Sequence, residues 1–192
     1  WNWKANGSGS SNEDGSINTT ATSANTTAKF SISTYTGTGS AATIGHGLGV
    51  APELIFLRNR GVADPWAVLA SSIADAYGAG MDATDYLVWN TSAAAVDDAT
   101  YWNDTAPTST VFSIGTTDEV NASSETYVAY CFASVEGYSK VGSYVGNGSG
   151  GSYGAFVYTG FRPAWLMIKP ARIVNNWYMF DVKRSTSNVM DD

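Results

Sequence analysis

Gly49-Val50-Ala51-Pro52-Glu53-Leu54-Ile55-Phe56-Leu57-Arg58 returns later in the chain as Gly160-Phe161-Arg162-Pro163-Ala164-Trp165-Leu166-Met167-Ile168-Lys169. Gly matches Gly, Pro matches Pro, and an apolar run closed by a basic residue follows each, at an offset of 111 (163 against 52). Trp177 repeats Trp66 at that same offset. Upstream, Tyr35-Thr36-Gly37-Thr38-Gly39-Ser40 reappears as Tyr144-Val145-Gly146-Asn147-Gly148-Ser149, an offset of 109 (144 against 35), so the intervening loop has gained two residues. Ordered recurrence of this kind marks a duplicated structural unit. The paired glycines allow turns with positive φ. Pro52 and Pro163 suit the start of a buried strand, where a missing N–H does least harm. Trp66 and Trp177 are expected in equivalent core places, with Trp165 also in the core.

Around these blocks the pattern is one of short strands. Phe30–Thr36 alternates with period two, and Glu53–Arg58 is too short for a helix and rich in strand formers. Further runs follow at Trp66–Leu69, Tyr86–Trp89, Thr110–Ile114 and Thr126–Phe132. Gly, Asn and Asp lie between them, as in a sandwich or barrel. Ser71 to Met81 carries a helical face closed by Gly78 and Gly80, so a short helix or turn is expected there. Residues 5–28 are nearly all Gly, Ser, Thr, Asn and Ala and read as a draped linker, whose Thr-rich half can form an edge strand. Trp1-Asn2-Trp3-Lys4 resembles Tyr130-Cys131-Phe132-Ala133, the closing run of the first copy.

The expected fold class is therefore all-β, built of antiparallel β-sandwich (jelly-roll-like) repeat units. Residues 1–28 are assigned to the terminal strand of a preceding unit plus a Ser/Thr/Asn-rich linker, 29–137 to a complete repeat, and 138–192 to the first half of a second. The sequence starts at Trp1, so it is expected to be a window on a longer polypeptide. The competing expectation is that neighbouring subunits complete the second copy by donating Trp1–Lys4 as a strand.

With 44% hydrophobic and 13% aromatic residues the 192-residue chain is globular, yet only 14% is charged, against roughly 25% in ordinary soluble domains. The polar surface must come from Ser, Thr, Asn and Gly, which suits secreted and virion β-proteins. Net charge is −7 and the ten Lys and Arg are scattered. That pattern argues against nucleic acid as a partner and against docking on or insertion into a membrane. Cys131 is the single cysteine, in the apolar run Tyr127–Ala133, and reads as a buried thiol with no intrachain disulfide.

Gly45–Pro52, Trp102–Gly115, Tyr127–Ala133 and Gly160–Lys169 together resemble a repeat found in virion proteins of marine bacteriophages, where it is associated with tail fibres. The resemblance covers essentially the whole chain. It implies a structural protein at the virion surface or otherwise extracellular, made for host attachment. It leaves the kind of appendage open: tail fibre, tailspike or capsid decoration. The implied partners are other virion subunits in a homo-oligomer and a host surface glycan. The resemblance carries no catalytic residue.

His46, the only histidine, sits in Gly45-His46-Gly47 and reads as a turn or hydrogen-bonded loop residue; no strained nucleophile turn accompanies it. Asp85, Asp97, Asp98, Asp118 and Glu119 are the acids a glycosidase or a Ca²⁺ site would draw on, but turn preference accounts for each. No catalytic residue, metal site or cofactor is assigned, and the chain is read as a non-enzyme. The expected ligand site is a glycan platform of Tyr101, Trp102, Asn103 and Asp104. If that run is a strand, the two rings face opposite ways and one lies exposed for stacking on a sugar. A secreted carbohydrate-binding module or adhesin is the alternative function, and a glycan depolymerase a third.

Overall fold

A computed structural model describes residues 2–71, 81–148 and 154–183. The helix expected over 71–81 falls, apart from its two end residues, outside them, as does Trp1. The fold is all-β with antiparallel sheets. Seven strands form the main sheet: β1 (Ala21–Asn25), β2 (Phe30–Thr36), β4 (Leu54–Asn59), β5 (Ala67–Ala70), β6 (Asp85–Val88), β7 (Val96–Asp97) and β9 (Thr126–Phe132). Their spatial order is β1-β2-β9-β4-β5-β6-β7. The last of them in sequence, β9, thus lies between β2 and β4. A ribbon of β3 (Ala42–Gly45) and β8 (Val111–Ile114) forms a second sheet. Two single helical turns, α1 (Ala99–Trp102) and α2 (Asp118–Asn121), complete the first unit.

Period-two alternation sorts the side chains of the main sheet onto two faces. Ile55 and Leu57 of β4, Ala67 and Leu69 of β5, and Tyr127, Ala129 and Cys131 of β9 point to one face. There they meet Ile44 of β3, Phe112 and Ile114 of β8, and Trp102 of α1. Burying these side chains, at about 1.5–3 kcal/mol for each large one, is the main drive for the fold. The intervening residues, Phe56, Val68 and Leu87 among them, form a second cluster on the outer face.

The inner cluster is closed by polar contacts. Tyr35 and Tyr127 stack with centroids 5.2 Å apart. The Tyr35 hydroxyl donates to the Val120 carbonyl (2.6 Å). That of Tyr127 donates to the Asp118 carbonyl (2.5 Å) and accepts from the Ala122 N–H (2.7 Å). Fully buried Asn121 donates to the Ser40 and Gly115 carbonyls and accepts from the Thr38 N–H. Burial drives the tyrosine hydroxyls toward their neutral, donating form: Tyr35 lies well above the usual range and Tyr127 is pushed up to about 12.

Residues 5–28 are more integrated than a linker. The Thr-rich half does form the edge strand β1, in register with β2. Ser10 bridges Thr22, Ile17 bridges Ile44, and Thr19 is buried. Ser23 Oγ accepts from the Asn6 N–H and donates to the Gly7 carbonyl. Composition suggested that almost nothing here can be buried; hydroxyls paired to main-chain groups make that burial tolerable.

One hairpin of the second copy reproduces the first at the level of the main chain. β10 (Trp165–Ile168) and β11 (Tyr178–Asp181) form an antiparallel hairpin in which Trp165 pairs with Asp181. In the first copy Leu54 pairs with Ala70, and adding 111 to both gives that same pair. The closing bond Ser71 N–H to Glu53 O recurs as Val182 N–H to Ala164 O, again at 111. Gly49 (φ 72°) and Gly160 (φ 83°) share the left-handed region, as do Gly39 (φ 74°) and Gly148 (φ 67°). Upstream the copies differ, since residues 141–148 and 154–164 form no strand.

Trp66 and Trp177 each stand one residue before a hairpin strand but are half-buried on the outer face, and Trp165 is half-buried too. The expectation that all three lie in the core is thereby corrected. Trp66 immediately precedes inward-facing Ala67, so alternation turns it outward.

Replacing Tyr127 by Phe leaves the Ala122 N–H and Asp118 carbonyl without their partner while the ring stays in place. We expect a loss of about 1–3 kcal/mol, read as a lower urea midpoint with an unchanged slope.

Candidate functional site

The expected glycan platform is not one. Asp98 accepts from the Thr100 N–H (2.9 Å) and caps α1, and Asn103, at φ 52°, ends it. The run is therefore a helical turn, and both rings turn inward. Trp102 is fully buried, its indole N–H without an acceptor, so packing alone holds it. Tyr101 is buried and stacks on Tyr86 at 3.6 Å. Burial, then the nearby Glu119 carboxylate, raises its hydroxyl pKa. Asn103 and Asp104 are exposed, but no ring beside them is open to a sugar.

His46 is fully buried, and its flanking glycines do not display it. Its Nδ1 accepts from the Leu48 N–H (3.2 Å), which leaves Nε2 to donate to the Thr108 carbonyl (3.2 Å). That pairing requires a neutral ring and makes His46 a clamp between the β3 end and the loop before β8. Burial lowers its pKa, against smaller opposing effects of the Thr108 carbonyl and Asp14. Cys131 is fully buried and its thiol is pushed up to about 12, so it is a packing residue.

The acids fall into structural places. Asp85 and Asp97 are register partners across β6 and β7, the first buried and the second exposed. Asp98 is the cap just described, and Asp118 and Glu119 open α2, favourable at a helix start. Among the described residues no group of three or more His, Cys, Asp or Glu is placed to hold a metal ion. No helix among them is long and apolar enough to cross a membrane.

Aromatic rings are the remaining binding groups. On the outer face Trp66 lies between Tyr130 (6.2 Å) and the Arg58 guanidinium (5.3 Å). Trp89 stacks on Trp177 (5.5 Å), whose indole N–H donates to the Val88 carbonyl. Trp3 packs on Phe132, Phe30 and Trp165 of its own chain, and the Lys4 carbonyl accepts from Asn25. The rings open to solvent belong to the second copy: Phe156 is 90% exposed and Tyr158 73%. With Gly160, Phe161 and Pro163 they line an open concavity of about 400 Å³. The sequence does not single these rings out, since at an offset of 111 Phe156 and Tyr158 align with Gly45 and Gly47.

An all-β protein with antiparallel sheets, a recurring β-hairpin and exposed rings beside the second hairpin is the class these observations define. The chain belongs to the DUF7483 family, described as a domain of unknown function, which matches residues 1–192. No curated protein and no solved structure matches it.

His46 makes stability depend on pH. Its folded pKa lies below the unfolded value near 6.5. Above that value the ring is neutral in both states and its contribution is complete. As pH falls below about 6.5 the unfolded chain takes up a proton that the folded one resists, so stability declines until the folded pKa is passed. Urea midpoints at about pH 7.5 and about pH 5.5 should differ more in the native protein than in His46→Gln, which has no such proton to bind.

Proposed function

We propose that this chain is a bacteriophage virion structural protein, part of a fibre or particle-surface appendage that contributes to host attachment. The observation that carries the reading is the copying of one β-hairpin in the same register 111 residues on. Tandem units of fixed main-chain geometry build an elongated projection, and many weak contacts along it give avidity. The sequence resemblance to marine phage virion repeats supports it, as does a surface with few charges. On this reading units occupy 29–137 and 138–192, with β1 added to the first, as jelly-roll-like sandwiches. The partners are other virion subunits in a homo-oligomer and a host surface glycan. The protein is no enzyme, takes no cofactor, and binds neither nucleic acid nor the membrane interior.

The alternative, a secreted carbohydrate-binding module or adhesin, is favoured by exposed Phe156 and Tyr158 beside a concavity of ligand size. The first reading predicts that antibody raised against the chain decorates an appendage of purified particles and that the protein co-sediments with them. Sedimentation apart from particles overturns it. Glycan contact through the exposed rings predicts that Phe156→Ala with Tyr158→Ala lowers binding to host polysaccharide by about tenfold or more with no change in urea midpoint. Full binding by the double variant removes that contact surface.

A further inference from the structure

We infer that Asn147 is a site of spontaneous covalent modification, converted to aspartate and isoaspartate by attack of the Gly148 main-chain nitrogen, and that the fold withholds the same reaction from Asn6. Asparagine is followed by glycine at two places, Asn6-Gly7 and Asn147-Gly148; every other asparagine is followed by a residue with a side chain. Glycine has no Cβ to shield its nitrogen, and its backbone turns freely into the geometry of attack.

The chemistry needs only water. The Gly148 nitrogen bonds to Cγ of Asn147 and gives up its proton. The side-chain nitrogen leaves Cγ and departs with that proton as ammonia. Water then opens the cyclic imide at one of its two carbonyls. Opening at Cγ restores the main chain and leaves aspartate. Opening at the main-chain carbonyl leaves isoaspartate, whose backbone runs through the former side chain. Either product adds a negative charge to a chain poor in charge.

Both asparagines are exposed, so exposure alone makes them equal. Their glycines are also alike. Gly7 lies at φ 69° and Gly148 at φ 67°, and a Cβ added at either would meet no atom within 4 Å. What separates the two sites is the hold on the peptide unit that must swing to bring its nitrogen onto Cγ. At the first site one buried side chain holds that unit from both ends. The Asn6 N–H donates to Ser23 Oγ (2.9 Å), and Ser23 Oγ donates to the Gly7 carbonyl (2.8 Å). The chain is pinned on either side as well, at the Lys4 carbonyl by Asn25 and at Ser10 by both main-chain bonds to Thr22. At the second site the main chain of Gly148 makes no hydrogen bond among the described residues. Its counterpart in the first copy, Gly39, donates its N–H to the Asn121 carbonyl (2.8 Å) and follows Thr38, which has no carboxamide to lose. The reactive pair is therefore a property of the second copy alone.

The test incubates the whole 192-residue protein at mildly alkaline pH, where the glycine nitrogen gives up its proton more readily. Samples taken at intervals are digested in acid, and mass spectrometry with fragmentation scores aspartate and isoaspartate at each site. In the native protein Asn147 should convert at least about tenfold faster than Asn6, the factor that two clamping hydrogen bonds impose. In urea the two rates should converge. Ser23→Ala frees both ends of the Asn6–Gly7 unit and should raise the Asn6 rate about tenfold with Asn147 unchanged. Gly148→Ala should slow Asn147 about tenfold or more. Equal native rates, or a faster Asn6, overturn the inference with no variant needed. So does a native Asn147 that stays intact while the urea-unfolded chain converts. An Asn6 that remains slow in Ser23→Ala overturns the clamp.

Discussion

Everything in the first unit hangs on β9, the strand that arrives last in sequence and sits between β2 and β4. It is bonded on both edges, and each of its faces faces a different cluster. The pairing joins residues from 68 positions apart (Asn59 with Tyr127) to 102 (Phe30 with Phe132), so its loop-closure cost falls on folding before the contacts repay it. Tyr127 is the residue that ties this strand to the top of the unit. Its ring lies on Tyr35 of the neighbouring strand, and its hydroxyl joins the Asp118 carbonyl and Ala122 N–H across α2. A helical turn of four residues has little stability of its own; α2 exists because Tyr35, Tyr127 and Asn121 satisfy the groups around it.

A sheet with apolar residues on both faces needs cover on both. The ribbon of β3 and β8, with α1, covers the inner face. The outer face is covered by parts that are distant in sequence: Trp3 on Phe30 and Phe132, and the second hairpin through Met167 and Trp177. Phe56 and Met167, equivalent at an offset of 111, lie in the same cluster. The copies therefore meet through corresponding faces. The half-buried state of Trp66 and Trp177 follows: they belong to the seam between copies and its margin, where one side of a ring packs and the other meets water.

The strands and the duplication were legible because both rest on local chemistry. Alternation identified Phe30–Thr36 and Thr126–Phe132, and paired Gly and Pro marked the hairpin in each copy. The expected binding site was misread through a wrong period. On the period of a strand Tyr101 and Trp102 face opposite ways, whereas Asp98 with Thr100 two residues on is a helix-start signal, and Asn103 tolerates the left-handed turn that closes it. That signal was present in the sequence and was outweighed by the surrounding strands. Burial of Thr19 and Ser23 was not legible, since a polar side chain is buried only where distant main-chain groups meet it, here those of Asn6, Gly7 and Asn12. The openness of Phe156 and Tyr158 was illegible because the first copy holds no ring at those places, where Gly45 and Gly47 stand.

What the two copies share, and what they do not, separates backbone specification from packing. Register, the closing main-chain bond and two left-handed glycines are common to both. Side chains at the inner positions differ widely, Ala67 against Tyr178 being the largest change. Cores tolerate such exchange when total volume is conserved. The same logic applies at the surface. Short hydroxyl and amide side chains bond main-chain groups directly, as Asn25 does to Thr27 and Ala28, and Thr108 to Val111. These contacts are short-ranged and uncharged, so added salt screens little of what holds the surface loops. A chain poor in charge keeps its loops ordered in this way.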